Sequence, residues 1–260
     1  MDTETNSGSR VRLFRHLLAI TSTAAIIATI FTIFTPLGLT VGFGGNSGTI
    51  FSPVSAFDDN PFLPTPTPGP RPTVGIVVGH WGFPDDDVGA TCPDGLTEMG
   101  VNLEIATRVK AQLQEEGFSV DLLREFDDQL EGYKAVALVS IHADSCLPQG
   151  PEATGFKVAS ALASARPDKA NRLVACLNSR FASVTGLPLH AGITPDMTSY
   201  HGFEEIHSET AAAIIETGFL FNNRQILTKQ PDLLAQGITD GILCYIRNED
   251  ASLPEPTQDE

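Results

Sequence analysis

Pro72-Thr73-Val74-Gly75-Ile76-Val77-Val78-Gly79-His80 is the stretch on which the fold turns. From Thr73 to Val78 the chain is a short β-branched run, bounded by Pro72 on one side and a Gly79-His80 turn on the other. Such a run reads as a strand buried on both faces. Working outward, Thr97 is placed to cap a helix whose apolar row Val101, Ile105, Val109, Leu113 recurs every four residues, and Gly117 closes it. Ser119 to Leu123 reads as a second strand, Ala135 to Ile141 as a third, and Phe156 to Ala159 as a fourth with edge character. Helical patterns fill Asp168 to Thr185 and Leu233 to Ile246, with a buried strand, Ala211 to Ile215, between them. Strands alternating with helices predict a single α/β domain, a mainly parallel twisted sheet with helices on both faces.

In such sheets functional groups collect at the carboxyl ends of the strands. His80 follows the first strand, His142 closes the third and Glu216 closes the strand Ala211 to Ile215. Glu98 opens the first helix, where the first loop returns to the same edge. Two imidazoles and a carboxylate are a ligand set for a catalytic zinc ion, which keeps one position open for water. A separate carboxylate then takes the proton from that water and returns it to the leaving group. His80, Glu98 and His142 supply the first set and Glu216 the second. Plainer readings exist for each: a loop histidine at His80, a backbone-bonded one at His142, and at Glu98 a carboxylate favoured by the positive end of its helix by about 0.3–1 kcal/mol. Glu216 is harder to dismiss, because a buried carboxylate without a partner costs several kcal/mol.

The 260 residues carry 32 acidic and 16 basic side chains, a net charge of −16. Without a concentrated basic face, nucleic acid is excluded as a partner. At the N-terminus Arg10, Arg12 and Arg15 precede an almost uncharged stretch, Leu17 to Thr35, weakly apolar as far as Phe43. About 20 apolar residues span a bilayer, and the basic flank stays in the cytoplasm. Residues 1–16 therefore read as a cytoplasmic segment and 17–43 as a transmembrane signal anchor, or as a secretory peptide if cleaved. Either reading exports the rest, leaving the domain extracytoplasmic at the cell membrane or secreted. Residues 44–72, rich in Gly and then Pro, read as a spacer with polyproline character, residues 73–247 as the catalytic domain, and residues 248–260 as a disordered acidic tail. In an exported domain Cys92, Cys146, Cys176 and Cys244 permit two disulfides in any of three pairings. Cys92 and Cys146 each lie just beyond a proposed ligand, which favours a bridge there, with Cys176 and Cys244 free or paired.

The words around the four site residues carry a resemblance. Val77-Val78-Gly79-His80, Gly89-Ala90 and Gly95-Leu96-Thr97-Glu98-Met99-Gly100-Val101-Asn102-Leu103-Glu104-Ile105-Ala106 resemble the opening of the zinc-dependent N-acetylmuramoyl-L-alanine amidases, a peptidoglycan-cleaving family with one α/β domain. Ser140-Ile141-His142-Ala143-Asp144-Ser145 is similar to that family's second histidine motif, and Ile214-Ile215-Glu216-Thr217-Gly218-Phe219-Leu220-Phe221-Asn222 to its glutamate motif. The motifs occur in the family's order, from about Val74 to Tyr245. The resemblance implies zinc held by His80, Glu98 and His142, Glu216 as general base and acid, and peptidoglycan as the partner, cut between the lactyl group of N-acetylmuramic acid and L-alanine. Arg124 would be structural or line the rim. Tyr200, His201 and His207 would line the groove, and Trp81 would serve as a sugar platform or a core plug. No protein partner is predictable.

The sequence departs from the family where Trp81-Gly82 and the acidic Phe83-Pro84-Asp85-Asp86-Asp87 follow His80, where Cys146-Leu147-Pro148 follows His142, and at Phe221. The altered loop after His80 keeps a second expectation in play, a zinc hydrolase of another acyl-amino acid or peptide amide; a third, a catalytically silent wall-binding module, is opposed by the retention of all four site residues.

Overall fold

The computed structural model describes residues 69–82 and 87–253. The anchor, most of the linker, the end of the acidic tail and the loop 83–86 lie outside the described residues. Among the described residues no helix is long and apolar enough to cross a membrane.

The elements run β1 (Thr73–Val78), α1 (Glu98–Glu115), β2 (Ser119–Arg124), a single 3-10 turn (Asp128–Leu130), β3 (Ala137–Asp144), β4 (Lys157–Ala159), α2 (Pro167–Thr185), α3 (Pro195–Thr198), α4 (Gly202–Glu205), β5 (Ala211–Phe219), α5 (Arg224–Lys229) and α6 (Pro231–Arg247). The sheet order is β2-β1-β3-β5-β4; every pairing is parallel except that of β4, a short antiparallel edge strand. α1 begins as its sequence dictates: the Thr97 hydroxyl accepts a hydrogen bond from the Gly100 amide, satisfying a donor the first turn leaves open.

Helices lie on both faces of the sheet, but unequally. The three long helices share one face. Val101, Ile105, Val109 and Leu113 of α1, Leu173, Leu177 and Phe181 of α2 and Ile238 and Ile242 of α6 form a single core with Val74, Ile76, Val139, Ile141, Ala213 and Ile215. The other face carries Val77, Leu123, Leu138 and Ala212, covered by the 3-10 turn, Tyr133 and the segment around α3 and α4. Each strand divides its side chains between the two faces because consecutive residues point in opposite directions. Among the described residues the second face has no long helix, because the chain spends only loops and single turns there.

Two strands also run further than expected. β3 starts at Ala137 and reaches Asp144, and β5 reaches Phe219, so His142 and Glu216 are paired inside the sheet, opposite one another. The ladder shifts register just beyond, between His142 and Asp144, and a shift of this kind re-aims the side chains beside it. Two disulfides form, Cys92–Cys146 and Cys176–Cys244, the second joining α2 to α6.

Candidate functional site

The site sits at the carboxyl edge of β1, β3 and β5, and three stretches of chain deliver it. His80 leaves β1 in a left-handed turn, with φ of 62°. His142 reaches the same point from β3, and its ring fills the space over Gly79, where a Cβ would come within 2.4 Å of it. Glu98 arrives because the loop before α1 folds back on itself: the Glu98 amide donates to the Ala90 carbonyl (2.9 Å) and the Cys92 amide to the Leu96 carbonyl (2.8 Å). Gly89 lets this loop lie against Glu98 and His80. A Cβ there would meet the Glu98 carboxylate and the His80 ring at 2.6 Å, on a backbone with φ of +72°. The Cys92–Cys146 bridge then ties the loop carrying Glu98 to the loop after His142.

His80 Nε2 lies 3.4 Å from Glu98 Oε2, and His142 Nδ1 lies 3.2 Å from Glu98 Oε1. One ligand atom from each of the three residues falls within 4.8 Å of the others. Two imidazoles and a carboxylate at that spacing suit a divalent transition cation. The Glu98 carboxylate is further fixed by the amides of Ala90 (3.1 Å) and Ala143 (3.3 Å). Burial pushes the Glu98 pKa up, but the His142 hydrogen bond, the nearby His142 and His80 charges and the Ala90 amide outweigh it, and the group ends below its ordinary value. Burial pulls His142 down; its bond to Glu98 and the charges of Glu216, Glu125 and Glu98 win, raising it.

Glu216 lines the same cavity as these three residues. Its Oε2 is buried and has no hydrogen-bond partner among the described residues. Burial raises its pKa to about 7, with Glu98 and Asp144 adding to the rise and His142 and Lys157 opposing it. A carboxylate of that kind is poised to exchange protons near neutrality. Asp144 is itself paired with Lys157, a mostly buried lysine beside Phe219.

Of the remaining residues expected at the site, Tyr200 lines the cavity. Its hydroxyl accepts from Ser140 Oγ at 3.2 Å, and burial and the Glu125 charge hold its pKa above the usual phenol value. His201 stacks on the exposed Phe126 ring at 4.1 Å and bonds Glu205 at 2.8 Å. His207 lines a neighbouring hollow together with Thr198 and Phe203. Trp81 packs partly buried against the main core, with the Arg124 guanidinium 5.6 Å from its ring centre. Glu125, 4% exposed, was missed in the sequence although it directly follows β2 and obeys the same strand-end rule.

A family model described as N-acetylmuramoyl-L-alanine amidase matches residues 74–244. The N-acetylmuramoyl-L-alanine amidase AmiC of Neisseria meningitidis serogroup B is 34% identical over 105 residues, covering 35% of this chain and 24% of that protein, so the match spans about a quarter of the curated relative. Among solved structures, an N-acetylmuramoyl-L-alanine amidase of Clostridium difficile 630 superposes with a TM-score of 0.56 at 24% identity, covering 70% of this chain and 100% of that one. AmiC2 of Nostoc punctiforme gives 0.52 at 25% identity (67% and 97%), and Ami1 of Mycobacterium smegmatis 0.57 at 20% (69% and 99%).

Proposed function

Since the chain belongs to the N-acetylmuramoyl-L-alanine amidase family, we propose that it hydrolyses the amide between N-acetylmuramic acid and L-alanine in peptidoglycan, using zinc held by His80, Glu98 and His142. The observation that carries this reading is the convergence of those three residues with Glu216 in one cavity at the sheet edge. The donor set fits the ion in two further respects. Glu98, Glu125 and Glu216 bring three carboxylates to two imidazoles, a surplus of negative charge that a dication offsets, and the buried Glu216 Oε2 has no hydrogen-bond partner among the described residues.

When bound, zinc polarises the scissile carbonyl and makes a water nucleophilic near neutral pH. The rest falls to the protein. Glu216, facing His142 across the β3–β5 pair, accepts the proton of the attacking water as a general base. It then returns that proton to the alanine nitrogen as the C–N bond breaks, leaving a free lactyl carboxylate and a free amine. Its raised pKa suits both halves of the exchange. Glu98 stays ionised because its hydrogen-bond donors surround it, so it serves as a ligand and not as a proton carrier.

Export is part of the proposal, because the substrate lies outside the membrane. The anchor-like Leu17 to Thr35 supports it, and so do two disulfides, which persist in oxidising compartments. Protease digestion of intact cells should remove the domain while sparing the N-terminal segment.

The full-length protein, loaded with zinc, should release new L-alanine amino termini from purified sacculi. Alanine at Glu216 should leave about one zinc per chain bound and abolish that release. Turnover near wild type in the variant would sink the mechanism, and hydrolysis of a small acyl-peptide with intact sacculi untouched would move the substrate to another acyl amide.

A further inference from the structure

The proposed chemistry uses two of the three carboxylates around the histidines and leaves Glu125 without a task. Glu125 is 4% exposed, and among the described residues it forms an ion pair with no lysine or arginine. A carboxylate buried in this way must be matched by other partners, and those it has belong to the metal-binding histidines and their surroundings. Its Oε2 accepts the backbone N–H of His80. Its own amide donates to the Trp81 carbonyl at 3.1 Å, so the residue grips the turn after β1 twice. Oε1 lies 3.8 Å from His142 Nε2 and 3.9 Å from His201 Nε2.

Both contacts bear on ligand geometry. The left-handed backbone of His80 is rare for a residue with a Cβ and persists only where the surroundings enforce it. The Trp81 amide closes the turn onto the Val78 carbonyl at 3.1 Å, and Glu125 takes the next donor along. For His142, Nδ1 faces Glu98 and Nε2 faces away, 3.2 Å from Ser140 Oγ. Ser140 gives its own proton to the Tyr200 oxygen, so its Oγ is free to accept from Nε2–H. At 3.8 Å the Glu125 carboxylate acts on Nε2 through charge and not through a direct hydrogen bond. That charge favours the proton on Nε2, which leaves the Nδ1 lone pair available to a metal. Partners of this kind commonly fix the tautomer and ring orientation of a metal-binding histidine.

We infer that Glu125 is a positioning residue for the metal centre, with one oxygen holding the His80 turn and the other orienting His142 and setting its tautomer. The inference rests on the metal reading above. Two variants separate its parts: Glu125→Gln keeps an oxygen for the His80 amide but removes the charge facing His142, and Glu125→Ala removes both.

The test is zinc affinity, measured on the full-length protein in detergent by competition with a chromophoric chelator, together with the visible spectrum of the cobalt-loaded protein. Glu125→Gln should bind zinc about 10-fold more weakly and Glu125→Ala up to about 100-fold more weakly. The cobalt spectrum should change in both, and metal-free Glu125→Gln should melt within a few degrees of metal-free wild type. If Glu125→Ala fails to fold, Glu125→Gln decides. Zinc affinity within twofold of wild type with an unchanged cobalt spectrum overturns the inference, as does a collapse of metal-free Glu125→Gln, which would mark a structural role. Wild type that binds no zinc overturns the metal reading itself, and this shows before any variant is made.

Discussion

Replacing Glu216 by glutamine should shift the stability of the metal-free protein in the variant's favour, relative to wild type, as pH rises from 4.5 to 8, even as it abolishes turnover. Glu216 is raised from 4.5 to about 7 in the folded chain, chiefly by burial. A carboxyl whose folded pKa lies above its unfolded value binds its proton more tightly when folded. Its contribution is therefore fully present below about pH 4.5 and is lost as pH rises towards 7, after which the ionised group carries a constant cost. A shift of roughly 2.5 units at 1.36 kcal/mol per unit puts that cost at about 3 kcal/mol. Glutamine cannot ionise, but its amide can leave a donor unpaired, a penalty of about 1–3 kcal/mol that does not vary with pH. The quantity to read is thus the change in the stability gap between variant and wild type, not the gap itself. Urea unfolding in the presence of a chelator, at half-unit steps from pH 4.5 to 8, should show the gap moving in favour of the variant by about 3 kcal/mol. Bound zinc should largely remove the effect, because the dication stabilises the carboxylate. A gap that stays flat within about 0.5 kcal/mol from pH 5 to 8 would show that the folded chain does not resist ionisation of Glu216, and the general-base assignment would lose its electrostatic support.

Gly79→Ala should damage the metal centre from behind, since the new methyl would fall 2.4 Å from the His142 ring; chelator competition should show weakened zinc binding, and urea unfolding a loss of about 1–3 kcal/mol from overpacking. Breaking Cys176–Cys244 with serines opens a loop of 68 residues and should cost about 4 kcal/mol of stability in urea unfolding while leaving zinc affinity near wild type. The same change at Cys92 and Cys146, which frees the loop carrying Glu98 from the loop after His142, should weaken zinc binding as well. Chelation should abolish release of L-alanine amino termini and added zinc should restore it; full activity after exhaustive chelation would exclude the metal reading.

The sequence by itself settled what depends on neighbours along the chain. The β-branched run from Thr73 to Val78 and the four-residue apolar row of α1 set element type through side-chain periods of two and about 3.6. In a parallel sheet, element type and order then determine which loops meet, which is why His80, His142 and Glu216 were legible as residues of one sheet edge. The four ordered motifs identified the family for the same reason, since they mark the chain segments that must converge.

What required the tertiary structure was decided across the sheet and between loops. β5 extends past Glu216 because Thr217 bonds back to the His142 carbonyl and the Leu220 amide reaches the Asp144 carbonyl, so pairing with β3 carries it beyond its apolar run. No local pattern chooses a face for each helix; that follows from α1, α2 and α6 burying their apolar stripes in one shared core. Cys176 and Cys244 pair because α2 and α6 lie side by side. Glu125 gains meaning only when the end of β2 is laid against the turn at His80, where a carboxylate in no motif at all comes to face both His80 and His142. Strand ends and helix periods are properties of a segment, whereas the partner that satisfies a buried charge is a property of packing.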